Sequence, residues 1–130
     1  MIGLDTNVLV RYFTQDDPVQ SRKATEFIER NLTAESPGFI SIVTTVEMVW
    51  VLERGYGFDR QSVGVAIERI LQADALVVER EREVFAASIA LAAGLGFADA
   101  LIEALGAKAG CSHTVTFDQK ALRMSGFEPL

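Results

Sequence analysis

Cysteine and histidine are nearly missing from this chain: one of each stands among 130 residues. The lone Cys111 cannot close an internal disulfide, so the fold rests on no cysteine framework, and a reducing cytoplasm is the expected compartment. It reads as a small buried hydrophobe rather than a nucleophile. Long apolar runs are missing too. The most apolar stretch, 84 to 98, is short, rich in Ala and Gly, and ends at Asp99, which is too little to span a bilayer. The opening Met1-Ile2-Gly3-Leu4-Asp5 has no basic residue and meets an acid at once, so no secretory signal is expected there. There is no internal repeat and no low-complexity segment. No P-loop, GxSxG elbow or GxGxxG fingerprint is present, and Gly94-x-Gly96 reads as a helix stop.

Positive charge is in short supply. Twelve Lys and Arg face eighteen Asp and Glu, for a formal net charge of -6. A nucleic-acid binder ordinarily carries a basic surface, because phosphate contacts dominate affinity. The acidity has two readings. It aids solubility, or some of the acids gather in a cation site where a bound metal inverts the local field. Composition leaves both open. A length of 130 residues with 49% hydrophobic content fits one globular domain, residues 1–130, with a self-sufficient core.

What is present is an alternation of short apolar runs and helical periods. Ile2 to Leu4 reads as a strand ending at an acid, and Asn7 to Phe13 as a short helix. Asp16-Asp17-Pro18 opens a second helix, since acids and proline suit a helix start; Ala24, Phe27, Ile28 and Asn31 or Leu32 line one side. Ser36-Pro37-Gly38 breaks it. Phe39 to Ile42 is a second strand. Thr44 to Arg54 is a helix with Val46, Val49 and Trp50 as its apolar stripe, ended by Gly55 and Gly57. Asp59 opens a helix carrying Val63, Ile67, Ile70 and Leu71. Ala75 to Val78 is a third strand. Arg80 to Ala93 and Phe97 to Ala109 are helices, the latter with Ala98, Leu101, Ile102 and Leu105 as its stripe. His113 to Thr116 is a fourth strand, Asp118 to Met124 a short helix, and Phe127 to Leu130 an edge strand. Strands joined by helical crossovers imply an α/β fold with a mostly parallel, four- to five-stranded sheet and helices on both faces. In such folds ligands bind beyond the carboxyl ends of the strands.

Four acids meet that demand. Asp5 follows the first strand and Asp118 the fourth. Glu47 stands in the first turn of the helix after the second strand. Asp99 opens a helix whose start reaches the same edge if the preceding helix returns the chain there. Each has a bland reading as well: Asp5 and Asp118 as N-caps, Thr44-x-x-Glu47 as a capping box, Asp99 as an offset to a helix dipole. Taken jointly, four carboxylates brought together repel one another, and a hard cation would relieve that. Magnesium or manganese takes oxygen ligands and keeps waters, activates one of them, and orients a phosphate. The pattern points to phosphodiester hydrolysis.

The opening Ile2-Gly3-Leu4-Asp5-Thr6-Asn7-Val8-Leu9 resembles the start of PIN domains, especially VapC-type toxins. Thr44-Thr45-Val46-Glu47, Gly96-Phe97-Ala98-Asp99-Ala100 and Thr116-Phe117-Asp118 agree with it in order and spacing, over essentially the whole chain. The resemblance implies a single PIN-like domain and a Mg2+- or Mn2+-dependent endoribonuclease held in check by a cognate antitoxin. It implies Asp5 and Asp99 as principal metal ligands, with Glu47 and Asp118 completing the acidic pocket and Thr116 as a supporting hydroxyl.

Other residues carry less. His113 sits at a strand start, which argues against a general base. Trp50 and Phe13 are candidates for RNA stacking, but the periodicity of Trp50 favours core or dimer packing. Arg11, Arg22, Lys23, Arg54, Arg60, Lys108, Lys120 and Arg123 are scattered; most read as solvated surface, some as a phosphate-holding rim. The partners expected are an RNA substrate, an antitoxin and a second copy in a homodimer, with no membrane. The antitoxin is expected to place an Arg or Lys in the acidic pocket and an amphipathic helix in an apolar groove. Val8, Tyr12, Phe13, Trp50 and Leu52 are candidates for lining that groove or the dimer seam. Rival readings are a stand-alone RNA-processing nuclease, a non-catalytic module of the same fold, and a magnesium-binding phosphoacceptor of receiver type. The receiver lacks support: Asp16-Asp17 lie too far past the first strand, and no Lys follows a fifth.

Overall fold

A computed structural model describes residues 1–130, and the chain divides into two compact units, Met1–Arg80 and Glu81–Leu130. The first opens with β1 (Ile2–Gly3), followed by α1 (Thr6–Thr14) and α2 (Pro18–Glu26). Asp17 caps α2 by accepting from the N–H groups of Val19 and Gln20, with Pro18 at the first helical position, where its missing N–H costs nothing. A π-helical turn, Phe27–Asn31, carries α2 to its end. Then come β2 (Gly38–Ile40), α3 (Ile42–Tyr56), α4 (Arg60–Gln72) and β3 (Leu76–Val78). Gly57 ends α3 at φ 67, a left-handed conformation that glycine adopts freely. Asp59 caps α4 through the Ser62 N–H.

Two helices separate each pair of successive strands, long enough crossovers for parallel pairing. The strands pair in the order β1-β2-β3, with Ile2 opposite Gly38 and Gly38 opposite Leu76. Gly38 is needed in the central strand. A Cβ there would meet Leu32, Leu4 and Leu76 methyls at 2.7, 3.1 and 3.2 Å. The core beneath is aliphatic: Leu9, Ile40, Met48, Leu52, Val63, Ile67 and Ile70 are buried. On the surface, Arg11 holds Asp16 and the Tyr56 hydroxyl, and that hydroxyl donates to Asp16 at 2.7 Å, tying α1 to the end of α3. Arg69 lies over the rings of Tyr12 and Phe13.

The second unit is built from smaller parts. Helices α5 (Glu81–Ala92) and α6 (Phe97–Lys108) pack on each other. Strand β4 (Thr114–Thr116) pairs in parallel with β5 (Phe127–Pro129), Thr114 opposite Phe127. Between them Ala121–Arg123 form one 3-10 turn. Val84, Ala87, Leu91, Phe97, Ala100, Leu101, Ala121 and Phe127 are buried. No helix of the chain is long and apolar enough to cross a membrane.

The α/β class with parallel strands is as expected; the five strands fall into sheets of three and two. Several local expectations differ. Asp118 to Met124 form only the single 3-10 turn and not a continuous α-helix: the Leu122 N–H reaches the Asp118 carbonyl at 3.3 Å, but the N–H groups of Arg123 and Met124 bond three residues back, to Lys120 and Ala121. The buried face of α6 is Phe97, Ala100 and Leu101, whereas Ala98 and Ile102 are exposed. Trp50 is not core: it is 60% exposed, while Leu52, proposed as a groove or seam residue, is fully buried. Cys111 is exposed rather than buried.

Candidate active site

Backbone geometry at the ends of the strands places the acids. β1 stops at Gly3, and Leu4 donates its N–H to the Phe39 carbonyl, so the chain stays bonded to β2 up to the residue before Asp5. Asp5 then turns the chain into α1 as its N-cap, accepting the Thr6 N–H at 2.9 Å. The capping reading and the site reading are therefore compatible. One oxygen orients the carboxylate, and the exposed side chain keeps another for a ligand.

Glu47 is placed by α3, and here the expected local structure is corrected. The helix starts at Ile42 with Ser41 as N-cap, whose hydroxyl accepts the Thr44 N–H at 3.1 Å. Glu47 is thus in the second turn rather than the first, and Thr44-x-x-Glu47 is no capping box. The acid that does serve the start of α3 is Glu79, directly after β3, which accepts the Ile42 N–H at 2.9 Å. No short-range pattern reveals Glu79, because its partner lies 37 residues away. The buried Thr44 hydroxyl reaches the Leu4 carbonyl at 3.5 Å, which ties the start of α3 to the end of β1. Glu47 stands three residues after Thr44 on α3, exposed to solvent, as is Asp5.

In the second unit Asp99 is the third residue of α6, half-buried, folded back so that its carboxylate lies over the N-cap Gly96, where a Cβ would stand 3.0 Å from Oδ2. An acid in a helix's first turn is held favourably by the unpaired N–H groups there. Asp118 follows β4. Its N–H donates to the Thr116 hydroxyl at 2.9 Å, and its Oδ1 accepts the Lys120 N–H at 2.8 Å. Thr116 and Asp118 are therefore brought together as one turn, with the hydroxyl fixing the acid's backbone.

The chemistry of this donor set suits a hard divalent cation. All four predicted ligands are carboxylates, and the ion pairs Arg11–Asp16 and His113–Glu128 leave all of them untouched. Asp5 and Asp118 are oriented by backbone N–H groups, as ligands held by a supporting shell should be. No group of three or more His, Cys, Asp or Glu stands arranged as a metal site. The His113 ring lies 3.0 Å from the Ser112 hydroxyl and 3.4 Å from Glu128. An open cavity of about 310 Å³ in the second unit is lined by Ala86, Ala90, Ala100, Glu103 and Ala104 among others, and none of the four acids is in its wall.

Among curated proteins no relative matches this chain. PIN domains are generally nucleases that depend on divalent metals such as Mg2+. The PIN domain model matches residues 2–126, nearly the full length, and the chain belongs to the PIN domain family.

Proposed function

We infer that this PIN domain is a cytoplasmic Mg2+- or Mn2+-dependent endoribonuclease, the toxin of a VapC-type toxin–antitoxin pair. The observation that carries the reading is the acid placed directly after the first strand, Asp5, oriented by the Thr6 N–H within a chain matched to the PIN family over residues 2–126. Asp5 and Asp99 would hold the metal, with Glu47 and Asp118 completing the acidic set. The metal would supply charge neutralisation at the phosphate and a water of lowered pKa. Glu47 or Asp118 accepts the proton of the attacking water and orients it in line with the leaving oxygen. Thr116 fixes Asp118 through the backbone. Water adds to phosphorus, the P–O3′ bond breaks, and the 3′ oxygen takes a proton. The products carry 5′-phosphate and 3′-hydroxyl ends.

The same acids explain control. Carboxylates without a cationic partner of their own attract an antitoxin Arg or Lys, whose side chain would compete with metal. Half-buried Val8, Tyr12 and Phe13 on α1 remain candidates for contact with the antitoxin. Exposed Phe85 and Ile89, one turn apart on α5, with Ile102 on α6, support a homodimer. The purified chain, incubated with RNA in Mg2+ and in chelator, tests the reading. Cleavage in Mg2+ alone, leaving 5′-phosphates and suppressed by the antitoxin, is expected. Cleavage in chelator, or 2′,3′-cyclic phosphate ends, overturns the mechanism. A partner complex that cuts as fast as the free chain would make this a stand-alone processing nuclease.

A further inference from the structure

One side of α3 carries a row of exposed side chains that the fold does not use. Val43 is 75% exposed and Trp50 60%, and Glu47 and Arg54 are exposed with them. Their spacing of four, three and four residues sets them on a single helix side. The row starts near the sheet edge, where the Thr44 hydroxyl bonds the Leu4 carbonyl just after β1, and continues along the helix. From Glu47, Trp50 lies about 4.5 Å and Arg54 about 10.5 Å along the axis at the usual helical rise. Arg54 is held by no carboxylate: the ion pairs use Arg11 and His113.

We propose that Trp50 and Arg54 form a track for single-stranded RNA leading out of the nuclease site, Trp50 stacking on a base next to the scissile phosphate and Arg54 holding a neighbouring phosphate. This rests on the endoribonuclease reading, because Glu47 at the head of the row is one of its acids. What favours RNA over a protein partner is the place of the row: it passes through Glu47, an acid of the proposed nuclease site, so a strand bound there would continue past Trp50 and Arg54. Alternation of an aromatic platform with a basic group is how sequence-tolerant single-strand sites are built, since every base has a π-face. The arginine also supplies positive charge where a chain of net charge -6 needs it most.

Trp50 is the only tryptophan, so its fluorescence reports the contact directly. The full chain is titrated with short single-stranded RNA in chelator, where nothing is cut, while a labelled RNA reports binding by anisotropy. The expected result is a saturating quench that follows the anisotropy, and no quench with duplex RNA. Trp50→Ala should weaken binding roughly tenfold and raise KM far more than it lowers kcat; Trp50→Phe should restore most of the affinity. Arg54→Ala should flatten the salt dependence by about 0.7 in log Kd per log salt, the share of one single-strand phosphate. Binding without quench, with Trp50→Ala at wild-type affinity, overturns the track and leaves the nuclease reading standing if Mg2+-dependent cleavage persists. A Trp50→Ala variant that changes sedimentation but not RNA affinity assigns the row to a protein contact instead. Absence of both binding and cleavage removes the track and the nuclease reading together.

Discussion

The two units hold their acids in parallel ways on unlike scaffolds. Each has one carboxylate oriented by backbone N–H groups after a strand, Asp5 and Asp118, and one presented by a helix, Glu47 and Asp99. The first unit rests them on a three-stranded sheet over large aliphatic side chains; the second rests them on a two-stranded sheet and an alanine-rich helix pair. In both units a backbone N–H orients the carboxylate after the strand, and a threonine hydroxyl bonds the backbone beside it, Thr44 at the Leu4 carbonyl and Thr116 at the Asp118 N–H.

If the parallel is functional, replacing an acid in either unit should cost the same. Asp5→Asn and Asp99→Asn should each lower RNA cleavage on the order of 1,000-fold, the worth of several kcal/mol of metal-borne charge stabilisation, with the fold intact by circular dichroism. A large loss in one and none in the other breaks the parallel. Next in size, Leu52→Ala should cost about 2–5 kcal/mol in denaturant unfolding, because the side chain is fully buried. Thr116→Val should sharpen the contrast. It removes the acceptor for the Asp118 N–H, and activity should fall roughly 10- to 100-fold, as for lost supporting contacts at metal ligands. Ser41→Ala, which strips the α3 cap, should cost about 1 kcal/mol with only a small effect on turnover.

The smallest effect is a pH dependence. The Ser62 backbone N–H donating to Asp59 holds its carboxyl below the usual range. Tyr56, then Thr14 and Arg11, do the same for Asp16 despite an opposing desolvation. A carboxyl with a depressed folded pKa contributes stability that is present above its unfolded value and lost as pH falls through the folded one. Thermal stability should therefore decline below the ordinary carboxylate range. Asp59→Asn, which keeps an accepting oxygen but does not titrate, should soften that decline; an unchanged acid limb would remove Asp59 from the account.

Much of this was legible because the signals are local. Asp17-Pro18, Asp59 and Gly57 set helix ends through bonds spanning a few residues, and they stand where the sequence predicts. Asp5 and Asp118 after strands were legible for the same reason. What was missed depends on distant partners or on phase. Glu79 caps a helix far away in sequence. Ser41 moved the start of α3 upstream, so Glu47 fell into its second turn. Periodicity showed that α3 has an apolar side but not how it is turned: the buried side, Met48, Val49 and Leu52, lies about a quarter turn from the expected Val46, Val49 and Trp50 stripe, which exposes Trp50.

The central claim of the proposed function is that Asp5 and Asp99 are each ligands of a catalytic metal. Mn2+ binding followed by the electron paramagnetic resonance signal of the free ion tests it without RNA. The wild-type chain should bind Mn2+, and Asp5→Asn and Asp99→Asn should each weaken that binding by at least about tenfold, as loss of a ligand demands. Wild-type Mn2+ affinity in either variant would contradict it.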